Sequence, residues 1–253
     1  MTSDLIKVNL SSFVTLILMN DALAFGFRRG DSANINGLIN KVMPNLLQLR
    51  KYRRDRTQQL LREAGFSEGQ AAIEGAVNAI IDAVYFSDAE LSILDDIVWI
   101  RPTRHAYASF EEIADAETEM TGLPLSVYIR GILNEYARLP QYKREALVFD
   151  EELSIAAEAC LSGRILHYTR AGCACRLFAY QYLYGFAYDQ TNYIVGYDLI
   201  TKRVCSVPLH EIRNAYLVAK KYRPGHTLLA ALKDYTEQRD FHQEIAITDE
   251  EIL

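Results

Sequence analysis

This chain has few of the features that announce chemistry. Its 253 residues include four cysteines, Cys160, Cys173, Cys175 and Cys205, too few for a disulfide framework at this length. That usage points to a reducing, cytoplasmic setting. Cys173 and Cys175 stand two apart, but no second ligand pair at zinc spacing accompanies them, so no metal site is expected. The five histidines, His105, His167, His210, His226 and His242, are dispersed. The sequence contains no Walker loop, no Gly-x-Gly-x-x-Gly and no zinc-protease motif. These absences argue against an enzyme and against a bound cofactor. Long apolar runs are missing too. The stretch from Phe13 to Phe27 is broken by Asn20 and Asp21, so no membrane association is expected. Asp4 and Lys7 precede that run and no cleavage-type segment follows, so no secretory leader is expected.

What the chain does have is an unusual aromatic segment. Arg176, Phe178, Tyr180, Tyr182, Tyr184, Phe186 and Tyr188 occupy every second position. A period of two is that of a β-strand, whose successive side chains point to opposite faces. One face would then carry a row of rings headed by a guanidinium. Such a row can be a platform on which unpaired bases stack. It can equally be the filling of a sheet core, since aromatic residues are favoured on strands for packing alone. Gly185 permits a bend or bulge that would switch the alternation.

Charge is unevenly spread. The net charge is −6, yet residues 160–225 hold nine Lys/Arg against three Asp/Glu. Residues 226–253 hold two Lys/Arg against seven Asp/Glu and read as a short acidic C-terminal segment, a solvated end or a shield for the basic module. A basic module inside an acidic protein suits an anionic ligand.

Patterning divides the rest. Leu5 to Ser11 alternates as a strand, and Ser11 or Ser12 can cap a helix running to about Phe27. After a turn at Arg28-Arg-Gly-Asp-Ser32, a second helix from about Asn34 carries Ile35, Leu38, Ile39, Val42 and Leu46 on one face. The order then recurs. Ile97 to Arg101 reads as a strand, a helix follows from about Arg104 to Met120, and another begins near Ser126. Between the copies lie a basic cluster, Arg50, Lys51, Arg53, Arg54 and Arg56, and an Ala-rich helical stretch from Gln70 to Phe86.

Strand, helix, turn, helix is the pattern of the ribbon-helix-helix fold. Thr121-Gly-Leu-Pro-Leu-Ser-Val-Tyr-Ile-Arg-Gly-Ile-Leu-Asn-Glu-Tyr136 resembles the second helix of that family, and Lys7-Val-Asn-Leu-Ser11 resembles its strand. The family pairs two strands into an antiparallel ribbon, usually by dimerising. With two copies in one chain, an internal pseudo-dimer is expected. Its outward face would present Lys7, Asn9 and Ser11 from one strand and Trp99, Arg101 and Thr103 from the other. A two-stranded ribbon fits the major groove of DNA.

Further on, Ile165…Tyr168, Arg176…Tyr180, Asn192-Tyr-Ile194 and Leu209-His-Glu-Ile212 resemble the WYL domain, whose Trp-Tyr-Leu triplet reads Asn-Tyr-Ile here. The resemblance implies a small Sm-like β-barrel that senses nucleic acid or another ligand. Its implied site residues are Tyr168, Arg176, Tyr180, Tyr193, Tyr197, Arg203 and Arg213. Tyr180 stands where the family often has proline, and Pro208 and Glu211 stand where it often has arginine. Ribbon-helix-helix joined to WYL is similar to transcription factors and to the WYL accessory proteins of type VI-D CRISPR systems. The fold expected is therefore α+β. A ribbon-helix-helix-like module would span 1–145, with a helical insert at about 53–96. A connecting helix would follow over 146–163, a WYL-like barrel over 164–225, and the acidic segment over 226–253. The expected partners are single-stranded RNA or duplex DNA, a CRISPR effector RNase and a second copy of the chain. A protein-interaction scaffold is the third reading.

Overall fold

Alternation makes the first element. In strand β1 (Ile6–Leu10), Val8 and Leu10 are buried while Lys7 and Asn9 are exposed. Ser11 caps helix α1 (Ser12–Ala24), its hydroxyl accepting from the Val14 N–H at 3.4 Å. The computed structural model in which these elements are seen describes residues 5–65, 69, 72–73, 75–77, 79–80, 96–104, 106–112, 124–185, 190–238 and 244–246. A small hairpin of β2 (Arg28–Arg29) and β3 (Ser32–Ala33) turns the chain into α2 (Ile35–Glu63). Asn34 caps α2 by accepting from the Gly37 N–H at 2.9 Å. A Cβ at position 37 would lie 2.6 Å from the cap's Nδ2, so glycine suits the site.

Helix α2 is 29 residues long, and the basic cluster from Arg50 lies inside it. Strand β4 (Asp96–Ile100) pairs antiparallel with β1, setting Lys7 opposite Trp99 and Asn9 opposite Ile97. The two strands make a separate two-stranded sheet within one chain. Two carboxamides of α2 hold the chain as it leaves β4. The Arg101 N–H donates to Asn36 Oδ1 at 2.8 Å, Asn40 Nδ2 donates to the Arg101 carbonyl at 3.0 Å, and the Thr103 N–H donates to Asn40 Oδ1 at 2.7 Å. Helices α3 (Tyr107–Glu112) and α4 (Leu125–Arg138) follow. Tyr128, Ile129, Ile132, Leu133 and Tyr136 of α4 are buried, and the Tyr136 hydroxyl donates to Asp21 Oδ2 at 2.7 Å. The expected helix beyond Glu112, the turn at Thr121-Gly-Leu123 and much of the Gln70–Phe86 stretch lie outside the described residues.

The chain is α+β and divides into two compact units, Met1–Leu139 and Pro140–Leu253. The second opens with α5 (Gln141–Val148) and α6 (Asp150–Ser162), the latter ended by Gly163 in the left-handed conformation. Its strands are β5 (Arg164–Arg170), β6 (Cys173–Leu183), β7 (Tyr193–Asp198), β8 (Arg203–Pro208), β9 (Arg213–Lys221) and β10 (Ile245–Ala246). They form a six-stranded sheet in the order β10-β8-β7-β6-β5-β9, with neighbours antiparallel. The sequence pointed to a barrel. Among the described residues the sheet is open, since β10 and β9 are its two edges and do not pair.

Helices cover both faces of this sheet. On one, Ala156 and Ala159 of α6 pack on Leu166, Tyr168, Leu177, Ala179, Ile194, Val207 and Ile212. On the other, Leu228, Leu232 and Tyr235 of α7 (His226–Gln238) pack on Phe178, Tyr193, Val195, Tyr197 and Val204. The first part of the acidic segment is therefore a core helix. Each fully buried leucine there contributes about 1.5–3 kcal/mol.

Candidate nucleic-acid interface

The aromatic strand does not present one row of rings. Between Ala179 and Gln181 the β6–β7 register slips, because Ala179 faces Gly196 while Gln181 faces Val195. Tyr180 is the extra residue of this bulge, and a bulge reverses which face the next residues take. Phe178 and Tyr180 accordingly pack with the α7 cluster, whereas Tyr182 packs with the α6 cluster. The strand ends at Leu183, and Phe186 and Tyr188 lie outside the described residues.

Three of the rings expected to touch ligand are core. Tyr168 is buried against α6, and Tyr193 and Tyr197 are buried against α7 on the opposite face of the sheet. Burial raises the Tyr168 phenol well above its usual range, a shift to which the neighbouring Cys175 and Cys205 thiols add. These rings cannot stack on a base while the sheet is folded. Arg203 is exposed but engaged, its Nη1 lying 3.0 Å from Glu244 Oε2 beside β10. Arg213 is half-buried, its guanidinium carbon lying over the Phe149 ring, 4.7 Å from the centroid. Burial lowers its pKa, against which Glu152 and Glu211 act.

Arg176 stands in different company from the row of rings that the alternation suggests. It is exposed on β6 and sits directly across from His167 of β5, which sits across from Tyr216 of β9. The Tyr216 hydroxyl lies 3.2 Å from His167 Nδ1, with ring centroids 5.1 Å apart. Tyr216 is 57% exposed. Guanidinium, imidazole and phenol thus form a row across three strands. Desolvation, and then the Arg176 charge, lowers the His167 pKa below 6.5. The shift favours the uncharged imidazole, a flat polar surface beside a fixed cation. A row of this kind can stack a base and hold its phosphate.

In the sequence His167 is one of five dispersed histidines, and nothing there singles out Tyr216, whose neighbours across the sheet come from distant strands. A 3₁₀ turn at Leu209–Glu211 separates β8 from β9, and Asn214 takes a φ of +50° at the start of β9.

A second feature fixes this module's Asn-Tyr-Ile triplet. Glu145 of α5 is fully buried. Its Oε2 accepts from the Asn192 N–H at 2.7 Å and from Asn192 Nδ2 at 2.8 Å. Its Oε1 accepts from the His210 N–H at 3.1 Å and lies 2.6 Å from His210 Nδ1. Asn192 Nδ2 also donates to the Tyr142 carbonyl at 2.7 Å, and its Oδ1 accepts from the Tyr182 hydroxyl at 2.9 Å. Asn192 is therefore a hub of hydrogen bonds, and Tyr182 is a support rather than a platform.

On the ribbon, Lys7, Asn9 and Trp99 face outward as expected, with Trp99 54% exposed, and Arg101 is exposed just past the strand. Ser11 is not on that face, because its hydroxyl is buried as the α1 cap. Thr103 is exposed but lies beyond the strand, its N–H held by Asn40. Ile97, missed from the sequence, joins the outward face at 52% exposure. Among the described residues, no group of three His, Cys, Asp or Glu side chains gathers to hold a metal ion. No helix among them is long and apolar enough to cross a membrane.

No protein-family model matches the chain, and no curated protein matches it in sequence. Its fold is similar to that of a solved structure described as a CRISPR Cas-related protein. The TM-score is 0.63 at 14% identity, covering 92% of this chain and 71% of the other. A second solved structure, proteasome accessory factor B/C (PafBC) of Arthrobacter aurescens, aligns over 81% of this chain and 39% of the other at 10% identity. Its TM-score of 0.27 is too low to bear on the fold.

Proposed function

We propose that this chain is a non-enzymatic nucleic-acid-binding regulatory protein that engages single-stranded RNA on the sheet of its second unit. The observation that carries the reading is the row of exposed Arg176, half-buried His167 and exposed Tyr216, a cation and two rings on adjacent strands. The excess of Lys/Arg over residues 160–225 supports an anionic ligand. A role as accessory to an RNA-guided CRISPR RNase is supported by likeness of fold to a CRISPR Cas-related protein. The internal β1–β4 ribbon with its flanking helices supports a ribbon-helix-helix lineage, and the Asn192-Tyr193-Ile194 hub supports a WYL-type module.

The test is fluorescence anisotropy with matched single-stranded RNA, single-stranded DNA and duplex DNA at two salt concentrations. Stacking is worth about 1–3 kcal/mol per ring, so Tyr216→Ala weakens RNA binding about 5- to 150-fold. Arg176→Ala lowers the salt slope by about 0.7, one phosphate contact on a single strand. Unchanged affinity in both folded variants would place RNA elsewhere or nowhere.

The second reading is an operator-binding transcription regulator whose sheet module senses a nucleotide. The outward Lys7, Asn9, Trp99 and Arg101 of the ribbon favour it. In that case duplex DNA binds more tightly than RNA, and Arg101→Ala costs about 1–3 kcal/mol and relaxes sequence preference.

A further inference from the structure

Strand β9 outruns its neighbour by two residues. Tyr216 stands across from His167 and Leu217 across from Leu166, but the next pair is Lys221 with Arg164, four positions on along β9 against two along β5. The surplus falls at Val218, Ala219 and Lys220 and makes a bulge. Arg164 props it: Nε donates to the Val218 carbonyl at 3.1 Å, and Nη1 donates to Glu158 Oε1 at 2.9 Å. An even surplus leaves the alternation of faces the same on both sides of the bulge. Ala215 and Leu217 pack with the α6 cluster. Tyr222 packs with the α7 cluster, its ring centroid 5.1 Å from that of Phe178. Arg176 and Phe178 stand two apart on β6, so the Arg176, His167 and Tyr216 row and the Tyr222 ring share one face of the sheet.

Lys220, Lys221 and Arg223 lie around the Tyr222 end of β9, and all three are exposed. Among the described residues no hydrogen bond, ion pair or ring contact engages their side chains. No Asp or Glu occurs between Glu211 and Asp234, so the local sequence supplies no counter-charge. Lys220 is four residues from Tyr216, at most about 13 Å away at 3.3 Å per residue. β9 is an edge of the sheet, so among the described residues no strand lies along its outer side. Lysines and a bulge also guard an edge against pairing with another molecule. Guarding needs no rings on the same face, whereas a nucleic-acid strand needs rings for its bases and cations for its phosphates together.

We propose that the sheet site runs on from the Arg176, His167 and Tyr216 row along β9 to Lys220, Lys221 and Arg223, and takes a single strand of several nucleotides rather than a lone nucleotide. This rests on the reading of the row as the RNA-binding surface, and it gives that surface a length and a direction. One base stacks at His167 and Tyr216, Arg176 meets the phosphate beside it, and the edge cations meet phosphates further along the strand.

The experiment titrates the full chain with fluorescein-labelled di-, tetra- and octauridylate across a salt series. Circular dichroism establishes that each variant is folded. The parent binds the octamer more tightly than the dimer. Lys220→Ala/Lys221→Ala/Arg223→Ala removes three phosphate contacts, which lowers the slope of log K against log salt by about 2 on the octamer and erases the gain with length. A charge-keeping variant, Lys220→Arg/Lys221→Arg/Arg223→Lys, retains both. The proposal is overturned if the alanine triple variant keeps the parent's slope and length dependence while Tyr216→Ala loses binding; the row then stands alone, and the lysines only guard the edge. Loss of slope in the triple variant beside an unaffected Tyr216→Ala refutes the row and with it the continuous site. Absence of salt-dependent binding by the parent protein overturns both.

Discussion

Replacing Glu145 tests the physical account of the second unit most directly. Its carboxyl group is fully buried and receives the N–H groups of Asn192 and His210, the Asn192 amide and the His210 ring. Glu145→Ala removes all four acceptor contacts together. The Asn192 amide keeps the Tyr142 carbonyl at 2.7 Å. The two backbone N–H groups lose the acceptors seen here, and each buried donor left unsatisfied costs about 1–3 kcal/mol. Adding the lost ring contact gives a penalty of about 3–5 kcal/mol, a large share of the about 5–15 kcal/mol typical of a domain. Glu145→Gln preserves volume but presents an amide N–H₂ where an acceptor is required, and its cost is about half as large. The assay is urea unfolding followed by far-ultraviolet circular dichroism, with fluorescence of Trp99, the chain's one tryptophan, reporting on the first unit. At an m value of about 2 kcal/mol per molar urea, the alanine variant moves the second unit's midpoint down by about 2 M. A shift worth less than about 0.5 kcal/mol would refute the claim that this carboxyl group satisfies the loop around the triplet.

Other expectations follow from close contacts. In Gly196→Ala the new Cβ would lie 2.3 Å from the Phe178 carbonyl oxygen and 2.8 Å from Leu177 Cγ, so stability falls by at least about 2 kcal/mol in thermal melts; a neutral result contradicts the β6–β7 packing. Tyr136→Phe removes a 2.7 Å hydrogen bond to the buried Asp21 and costs about 1.5–3 kcal/mol, read in the Trp99 transition. Burial pushes the Cys160 thiol from 9 up to about 11 and the Cys205 thiol up to about 12. The folded state therefore keeps protons that the unfolded state releases. This contribution to stability is complete below pH 9 and is lost as pH climbs through 11 and toward 12. Iodoacetamide at pH 8.5 labels the exposed Cys173 and spares Cys160 and Cys205 until urea is added, as peptide mass mapping checks.

Legibility in the sequence followed locality. Ile6 to Leu10 alternates, so that strand and its outward Lys7 and Asn9 are legible, whereas Ile97-Val-Trp-Ile100 is apolar throughout and hides which of its residues face outward. The Ser11 cap is legible too, and a hydroxyl that caps a helix is not also on the ribbon's face. The bulge at Tyr180 left no mark in the alternation, which continues unbroken in sequence past the point where the pairing slips. That is why one apparent row of rings became two core faces. Helix α7 carries Leu228, Leu232 and Tyr235 at helical spacing, a signal hidden behind the segment's acidic composition. The Glu145 hub joins residues 47 and 65 positions apart, and only tertiary structure brings them together.

The ribbon has a consequence for how its face meets any partner. Its two strands differ in sequence, with Lys7 opposite Trp99 and Asn9 opposite Ile97. A ribbon built from two identical chains is forced into two-fold symmetry, favours palindromes, and dissolves when dilution separates its halves. This one is free of both constraints. Its polar strand and its apolar strand can change independently, and the face survives at concentrations where a dimer would have come apart.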